Sequence, residues 1–318
     1  MSIIMGCSTS TSSTKALVDY VDPNIGTAHC RWFFYTPAAI PFGMAKLAPS
    51  TDAHLGNPGG WQAVGYDFRH TSIEGFANFH EFQVGGVVFA PTVGELQTVP
   101  GELENPDGGY RSRFDKKDEV AAPGYYSVLL KDYGVKAELT AMKRVGFHRY
   151  TYPKTEQANL IFDIGNKQGE SGEVKDAEVQ YFEDGRVEGY VITSPVYVNI
   201  YQKGADVRMY FSAVLNKKPV QVGTFVKDVV NPGKYQEKGP GAGLYMTFST
   251  EEQEAVEVKV GLSYTSIENA RFNRETEAAD VTFDQAKKNA TDVWNESLSR
   301  IYVEGGKAVS YTHLTLPT

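Results

Sequence analysis

Alternation of hydrophobic and polar positions dominates the chain from about residue 18 to residue 266. Residues 137–142 alternate strongly, as a strand with one buried face does. Similar short runs, rich in β-branched and aromatic residues, occur at 125–130, 147–152, 159–163, 190–193, 196–201, 207–211, 243–248 and 256–262. Turn signals such as Glu183-Asp184-Gly185 separate these runs. Many short strands without helical periodicity between them predict a mainly β protein, a large antiparallel β-sandwich.

The period changes near the C-terminal end of the chain. Thr282, followed three residues later by Gln285, is a capping-box signature for a helix start. Apolar residues then fall on one helical face: Phe283, Ala286, Ala290, Val293, Trp294, Leu298 and Ile301. This pattern predicts a C-terminal linker helix after the sandwich. We expect its apolar face to be exposed unless a further domain covers it.

The stretch from residue 20 to residue 100 follows neither period. Glycines and prolines separate short clusters of aromatic and polar residues, and the stretch holds Trp32, Trp61 and four of the six histidines. Irregular backbone is what aims exposed rings and polar tips at a ligand. We therefore interpret this stretch as loops that form a binding site.

Composition narrows the class of partner. The chain has 318 residues, of which 41% are hydrophobic and 12% aromatic. The net charge is −8 and no basic stripe is present, which argues against a nucleic-acid partner. A high aromatic content suits a β-rich protein whose surface receives carbohydrate.

The two ends of the sequence are interpreted separately from the fold. Cys7 follows a short apolar run and precedes a Ser/Thr-rich segment, as at the end of a bacterial lipoprotein signal. We interpret residues 1–18 as a truncated lipoprotein signal and tether, which predicts a lipid anchor at Cys7 and a location in the periplasm or at the outer membrane or cell surface. The alternative is an unstructured start that contains a cysteine by chance. Residues 307–318 are unrelated to what precedes them, and we interpret them as an artefactual tail.

Several residues are candidates for ligand contact, each with a structural alternative. Trp61 follows Gly59-Gly60, so its ring either stacks on a sugar or caps the edge of the core. His80 follows Phe79 and is either a site residue or a hydrogen-bonded histidine at a strand end. Arg31 and Trp32 form either a ligand contact or a structural stacked pair. Histidine spacing gives no metal site, and no phosphate-binding glycine motif is present.

A series of motifs then points to one family. They stand in order along the chain at 20–27 (YVDPNIGT), 41–44 (PFGM), 65–66 and 75–80, 123–128 (PGYYSV), 144–150 (RVGFHRY), 298–301 (LSRI) and 303–306 (VEGG). In this order they resemble the N-terminal part of the glycoside hydrolase family 92 α-mannosidases. The resemblance covers residues 19 to 306. Asn78 stands where the family has a histidine, and the segment from Arg31 to Tyr35 replaces a Gly/His-rich loop.

The resemblance implies an organisation and a chemistry. It implies a β-sandwich domain at 19–268, a helical linker at 269–306 and then an (α/α)6-barrel domain that this chain does not include. The family inverts the anomeric carbon and requires Ca2+, and its catalytic carboxylates and calcium ligands belong to the barrel. This implies that the chain contains no catalytic residues and is inactive alone.

The resemblance also implies site residues and a ligand. The family places a mannose-containing glycan between its two domains. The implied substrate-binding residues in this sequence are Trp61, His80, Gly26, Thr27, Arg31 and Trp32. The alternative is a stand-alone carbohydrate-binding β-sandwich module without chemistry, which has no need of a helix leading into another domain. A structural cell-surface protein would not need dense aromatic and glycine loops.

Overall fold

The computed structural model describes residues 15–28, 37–51, 65–81, 84–165 and 171–301. In these ranges the strands are β1 (Ala48–Ser50), β2 (Ser72–Ile73), β3 (Gly75–Glu81), β4 (Val84–Val93), β5 (Ser112–Arg113), β6 (Val120–Ala122), β7 (Tyr125–Leu130), β8 (Val135–Ala141), β9 (Val145–Tyr152), β10 (Thr155–Asp163), β11 (Glu173–Tyr181), β12 (Val187–Ser194), β13 (Val207–Leu215), β14 (Gln221–Val226), β15 (Val229–Pro232), β16 (Gln236–Lys238), β17 (Ala242–Thr250) and β18 (Glu254–Ser263). The helices are α1 (Val196–Tyr201), α2 (Ile267–Ala278) and α3 (Phe283–Leu298). Short 3-10 turns occur at Leu17–Tyr20, Pro106–Gly108 and Lys116–Asp118.

Two antiparallel sheets form the sandwich. In the described part of the chain, one has seven strands in the order β1-β3-β4-β10-β17-β14-β15. The other has nine strands in the order β16-β11-β12-β13-β18-β9-β8-β7-β6. A small pair, β2-β5, lies outside both sheets. The predicted antiparallel β-sandwich is therefore confirmed.

The main core fills the space between the two sheets. Phe89 and Phe162 of the seven-stranded sheet pack with ring centroids 4.1 Å apart, and Phe162 reaches Phe211 of the nine-stranded sheet at 6.4 Å. All three side chains are buried, as are Val258 and Leu262 in the same cluster. Burying large aromatic rings contributes a large share of the stability of such a core.

Two central strands lie in the stretch that we expected to be loops. β3 and β4 pair with each other, and β4 also pairs with β10 in the middle of its sheet. A Cβ atom added at Gly86 would lie 3.1 Å from Met209 and from Val191 of the opposite sheet. The glycine was interpreted as a loop residue, but its physical role is to let the two sheets approach each other. The loop interpretation is wrong for these residues.

Residues 196–201 are a helix and not the strand that their β-branched composition predicted. Asn199 fixes the turn because its amide donates to the carbonyl oxygens of Pro195 (2.8 Å) and Ala205 (3.2 Å). Its amide oxygen accepts from the backbone of Gly204 at 2.9 Å. These side-chain bonds replace the ladder bonds that a strand would make.

Helices α2 and α3 both cover the nine-stranded sheet. A Cβ at Gly261 in β18 would lie 2.1 Å from the carbonyl oxygen of Ala270, so only glycine permits α2 to sit this close. The sequence pattern did not predict α2. The capping box between Thr282 and Gln285 at the start of α3 is confirmed, with both reciprocal hydrogen bonds present.

The apolar face of α3 packs on the sandwich, so the expectation that it is exposed is wrong. Phe283 and Ala286 are buried in one cluster with Val145 and Phe147, which point outward from β9. The outer face of the sheet thus supplies the apolar partner. Ile301 lies beyond the helix and is 63% exposed. No helix in the described ranges is long and apolar enough to cross a membrane.

Candidate functional site

Gly26 and Thr27 lie in a tight turn. This turn contacts residues 65–70, and we call residues 65–70 the base turn. Gly26 has φ 86°, a left-handed conformation that favours glycine. Thr27 is fully buried, and its hydroxyl donates to the carbonyl oxygen of Asn24 at 2.8 Å. The carbonyl of Thr27 accepts from the backbone of Phe68 at 3.2 Å. Both residues therefore fix the chain against the base turn.

Thr51 closes the base of the segment 52–64. Its backbone N–H and its hydroxyl both donate to the carbonyl oxygen of Gly65, at 2.7 and 2.9 Å. The same hydroxyl accepts from the backbone of Asp67 at 3.1 Å and lies 2.8 Å from Nδ1 of His70. Local spacing in the sequence gave no sign of this convergence, because Thr51 and Gly65 are 14 residues apart.

Three of the predicted site residues lie outside the described residues. Trp61 belongs to segment 52–64, and Arg31 and Trp32 belong to segment 29–36. Their roles therefore stay predictions. Thr51 and Gly65, which flank segment 52–64, hydrogen-bond to each other, and Thr27, two residues before segment 29–36, contacts Phe68 of the base turn. The structure thus brings the start of segment 29–36 and both flanks of segment 52–64 to the base turn.

Asp67 is a buried carboxylate inside the base turn. It accepts from Arg69 through the backbone N–H at 2.8 Å, Nε at 2.9 Å and Nη2 at 2.6 Å. Burial alone raises the pKa of Asp67, but the hydrogen bonds and charge of Arg69 outweigh burial and lower that pKa to about 2. Burial lowers the pKa of His70. Asp67 is therefore an ionised structural clamp at neutral pH and is not suited to be a general acid.

Lys116 is held in an aromatic box beside the base turn. Its Nζ lies 5.0 Å from the ring centroid of Tyr66, 4.6 Å from Phe68 and 4.5 Å from Phe114. The ammonium also donates to a carboxylate oxygen of Glu119 at 2.9 Å. Cation–π contacts of this kind contribute about 0.5–2 kcal/mol each. The box holds the two aromatic side chains of the base turn in fixed positions.

Glu119 is the centre of the hydrogen bonds below this box. Its Oε1 accepts from the hydroxyls of Tyr66 (2.8 Å) and Tyr126 (2.7 Å). Burial, and then the charge of Glu119, raise the pKa of both tyrosines, so both stay protonated donors. Burial lowers the pKa of Lys116, against the opposite effect of its bond to Glu119. Both carboxylate oxygens of Glu119 thus accept hydrogen bonds from side chains of this protein.

A buried ion pair lies beneath the base turn. Arg111 and Glu74 have fully buried side chains and meet at 3.2 Å. Arg111 also donates to the carbonyl oxygen of Thr51 and to Ser72. Breaking such a pair leaves an uncompensated buried charge, which costs about 3–5 kcal/mol. Sequence reasoning missed this pair, since no spacing or charge pattern singles out either residue.

His80 lies at the other end of β3 from the base turn. The backbone of Glu74, just before β3, donates to Ser50, whereas His80 is five residues beyond Gly75, about 17 Å along a strand. The imidazole is 2% exposed. Burial, and then the charge of Lys46, lower the pKa of His80 to about 3, so it is neutral. The structure does not bring His80 next to Gly26 and Thr27.

Asn78 lies between the two sheets. Its amide nitrogen donates to the carbonyl of Val87 at 2.7 Å, and its oxygen accepts from Nε2 of His148 at 2.8 Å. Nδ1 of His148 in turn accepts from the hydroxyl of Tyr150 at 2.8 Å. The difference from the family at Asn78 therefore falls inside the sandwich.

No three His, Cys, Asp or Glu side chains in the described ranges lie close enough together to hold a metal ion. These residues do not fit a calcium site, and no chemical step below passes through one. A cleft of about 370 Å³, lined by Asp163, Glu173, Phe225 and Lys227 among others, contains none of the predicted site residues.

Comparison with known proteins identifies the family. The model of the glycosyl hydrolase family 92 N-terminal domain matches residues 20–263. The observed antiparallel β-sandwich is thus an N-terminal domain of a family 92 glycosyl hydrolase. The chain belongs to glycoside hydrolase family 92. No curated protein matches the chain.

Solved structures of the family show the same fold. The α-mannosidase BT3965 from Bacteroides thetaiotaomicron is similar with a TM-score of 0.84 and 29% identity, over 94% of this chain and 40% of that one. The same enzyme is also solved in complex with mannoimidazole. The inverting mannosidase BT2199 from the same organism gives a TM-score of 0.77 at 20% identity, which shows the fold alone. This chain spans about 40% of the length of these relatives.

Proposed function

We propose that this chain is the sugar-contacting N-terminal domain of an inverting, Ca2+-dependent exo-α-mannosidase that acts on mannose-containing glycans. The family 92 match over residues 20–263 carries this proposal. It is supported by the similarity to α-mannosidase BT3965, whose structure contains a mannose-like inhibitor.

The base turn explains how this domain serves such a site. Hydrogen bonds at Thr51, Asp67 and Lys116 hold the base turn, which follows segment 52–64 and contacts Thr27, two residues before segment 29–36. A sugar presents apolar C–H faces with hydroxyls at its rim, so it is recognised by a stacking ring beside polar groups. In this proposal Trp61 stacks on the sugar, with Arg31 and Trp32 beside it.

The catalytic acid and base come from the remainder of the protein. Inversion needs two carboxyl groups about 6.5–9.5 Å apart, with a water between the base and the anomeric carbon. The carboxylates near the base turn, Asp67, Glu74 and Glu119, are each engaged by a cation. We therefore assign the acid, the base and the calcium ligands to the domain that follows in the longer family members, and the chain alone is inactive.

The lipoprotein interpretation completes this proposal. A lipid at Cys7 would place the enzyme at the periplasmic face of the membrane or on the cell surface, where glycans are degraded. Cells that express the natural gene should incorporate labelled palmitate into the protein. The Cys7→Ala variant should incorporate none, and equal labelling of both would overturn the anchor.

The experiment on the chain itself separates this function from a stand-alone binding module. Because α3 packs on the sandwich, its presence no longer discriminates between the two. The purified chain is tested with aryl α-mannoside and mannobiose, with and without Ca2+, and binding is measured by calorimetry. We expect no turnover and a Kd weaker than about 1 mM. Micromolar binding without turnover would favour the module, and turnover by the chain alone would overturn the assignment of the catalytic groups.

A further inference from the structure

The turn of residues 40–43 holds a phenylalanine in a conformation that suits glycine. The backbone of Gly43 donates to the carbonyl of Ile40 at 3.0 Å, which closes the turn. Pro41 occupies its second position, and Phe42 occupies its third with φ 58°. Turns with proline second and a left-handed residue third normally carry glycine or asparagine there. A side chain in this region costs about 1–2 kcal/mol.

The ring of Phe42 is also almost fully exposed. Its side chain is 93% accessible, more than any other large hydrophobic residue in the described ranges. Strained backbone and an exposed ring both disfavour the isolated domain. Such outliers persist where they serve a function.

The turn is rigidly held, so that the ring projects from a fixed base. The backbone N–H groups of Met44 and Ala45 both donate to the carbonyl of Lys143, at 2.7 and 3.3 Å. Before the turn, the carbonyl of Ala39 accepts from Nε1 of Trp294 at 2.7 Å. The turn is therefore tied to the connection between β8 and β9 and to helix α3. A preorganised ring loses little entropy when it docks.

The position of the turn indicates what covers it. Helix α3 ends at Leu298, four residues after Trp294, which is roughly 6 Å of helical rise. The chain matches an N-terminal domain and spans 40% of BT3965, so the remaining part of such a protein continues beyond this point. The C-terminal end of α3 therefore lies near this turn, and a domain that follows α3 would begin near it.

We propose that Phe42 is the anchor by which this domain docks on the domain that follows it in the full-length protein. The ring inserts into an apolar pocket of that domain. Exposed Lys143 beside the turn predicts an acidic residue at the rim of this pocket. A buried aromatic anchor with a polar rim is the usual form of an interface hot spot. The proposal rests on the proposed function for the existence of the second domain.

A glycan is a poorer partner for this ring. A sugar site needs hydrogen-bonding groups around its stacking ring. The neighbours of Phe42 within the turn, Ile40, Pro41 and Gly43, have no polar side chain. Lys143 beside the turn is a cation, which suits an acidic group at the rim of a pocket better than the hydroxyls of a sugar.

The test uses the full-length product of the natural gene with a specific protease site inserted after Ile301. After cleavage, the affinity of the two parts for each other is measured by gel filtration and calorimetry. The variants are Phe42→Ala and Phe42→Gly, with Tyr235→Ala as control. Tyr235 is also an exposed aromatic residue, 54% accessible, and it precedes β16 at the opposite edge of the nine-stranded sheet from β7 and β8.

We expect the cleaved wild-type parts to stay together and Phe42→Ala to weaken their Kd by roughly 10- to 100-fold, as loss of one buried ring does. Tyr235→Ala should leave that Kd unchanged. In the present chain alone, Phe42→Gly should unfold at the same or a higher urea concentration, because it removes the strain. Separation of the wild-type parts, or an equal Kd for Phe42→Ala, would overturn the docking role. Mannosidase assays on the uncut wild type test the proposed function independently.

Discussion

Burial determines the charge of the two histidines inside the sandwich. His148 is fully buried between Asn78 and Tyr150, and burial lowers its pKa to about 3. His80 has a similarly lowered pKa of about 3. The unfolded chain binds protons at both histidines below about pH 6.5, whereas the folded chain does not. Their contribution to stability is therefore complete above pH 6.5 and is lost as the pH falls toward 3.

This linkage gives a prediction for His148→Gln. The free energy of unfolding of the wild type should fall with decreasing pH, and each buried histidine contributes up to about 1.4 kcal/mol per pH unit. His148→Gln should be less stable than wild type at pH 7 but should show a slope smaller by about that amount between pH 4.5 and 6. Urea unfolding at a series of pH values measures this slope. His80→Gln is the matched variant, and wild-type slopes in both would refute the linkage.

The prediction about substrate binding concerns Trp61. In the full-length enzyme, Trp61→Ala should lower kcat/KM by an amount equivalent to about 1–3 kcal/mol, because a stacking ring is removed. The melting temperature should change little, since the residue is expected on a loop. Tyr235→Ala, an exposed aromatic elsewhere, should leave kcat/KM unchanged. A much lower melting temperature with unchanged kinetics would show that Trp61 belongs to the core.

At the scale of elements, alternation predicted the strands whose two faces differ. Residues 125–130, 137–142 and 147–152 were expected as strands and form β7, β8 and β9. Alternation did not predict the structure where both faces of a strand are buried, or where side-chain hydrogen bonds turn the backbone. β4 is buried along most of its length, so it shows no alternation, and Asn199 turns a β-branched run into α1.

The candidate site was less predictable than the fold. Gly26 and Thr27 were expected at the site and do lie at the base turn, but their role in binding stays a prediction. Arg111 and Glu74 meet across 37 residues, and Val18 meets Asn295 across 277. Local periodicity contains no information about such distant contacts.

The packing of α3 on the sandwich leads to a paired glycine prediction. Gly124 has φ 79°, and a Cβ there would lie 2.7 Å from Cβ of Ala290 in α3. Gly134 has φ 63° with no atom within 4 Å. Gly134→Ala should cost about 1–2 kcal/mol for the backbone alone. Gly124→Ala should cost about 1–3 kcal/mol more, because it also displaces the helix.

Urea unfolding of the two glycine variants measures the difference. Equal losses of stability would mean that α3 does not pack against the turn at Gly124. A selective loss in Gly124→Ala, with increased binding of a hydrophobic dye, would show that the helix covers the apolar outer face of β9.

At the scale of the whole molecule, our proposal makes the chain one part of a longer enzyme. The sandwich, its two covering helices and the base turn are joined by packing and hydrogen bonds among the described residues. The family match covers residues 20–263, and the chain spans about 40% of its solved relatives. Under the function that we propose, this domain contacts the sugar and the catalytic groups belong to the rest of the protein.

The most direct measurement is the reaction of the full-length gene product with an aryl α-mannoside, followed by proton NMR. We expect β-mannose to form first and then to equilibrate with the α-anomer, because water attacks from the face opposite the leaving group. The present chain should release no mannose under the same conditions. Initial formation of α-mannose, or absence of any release by the full-length protein, would contradict the account.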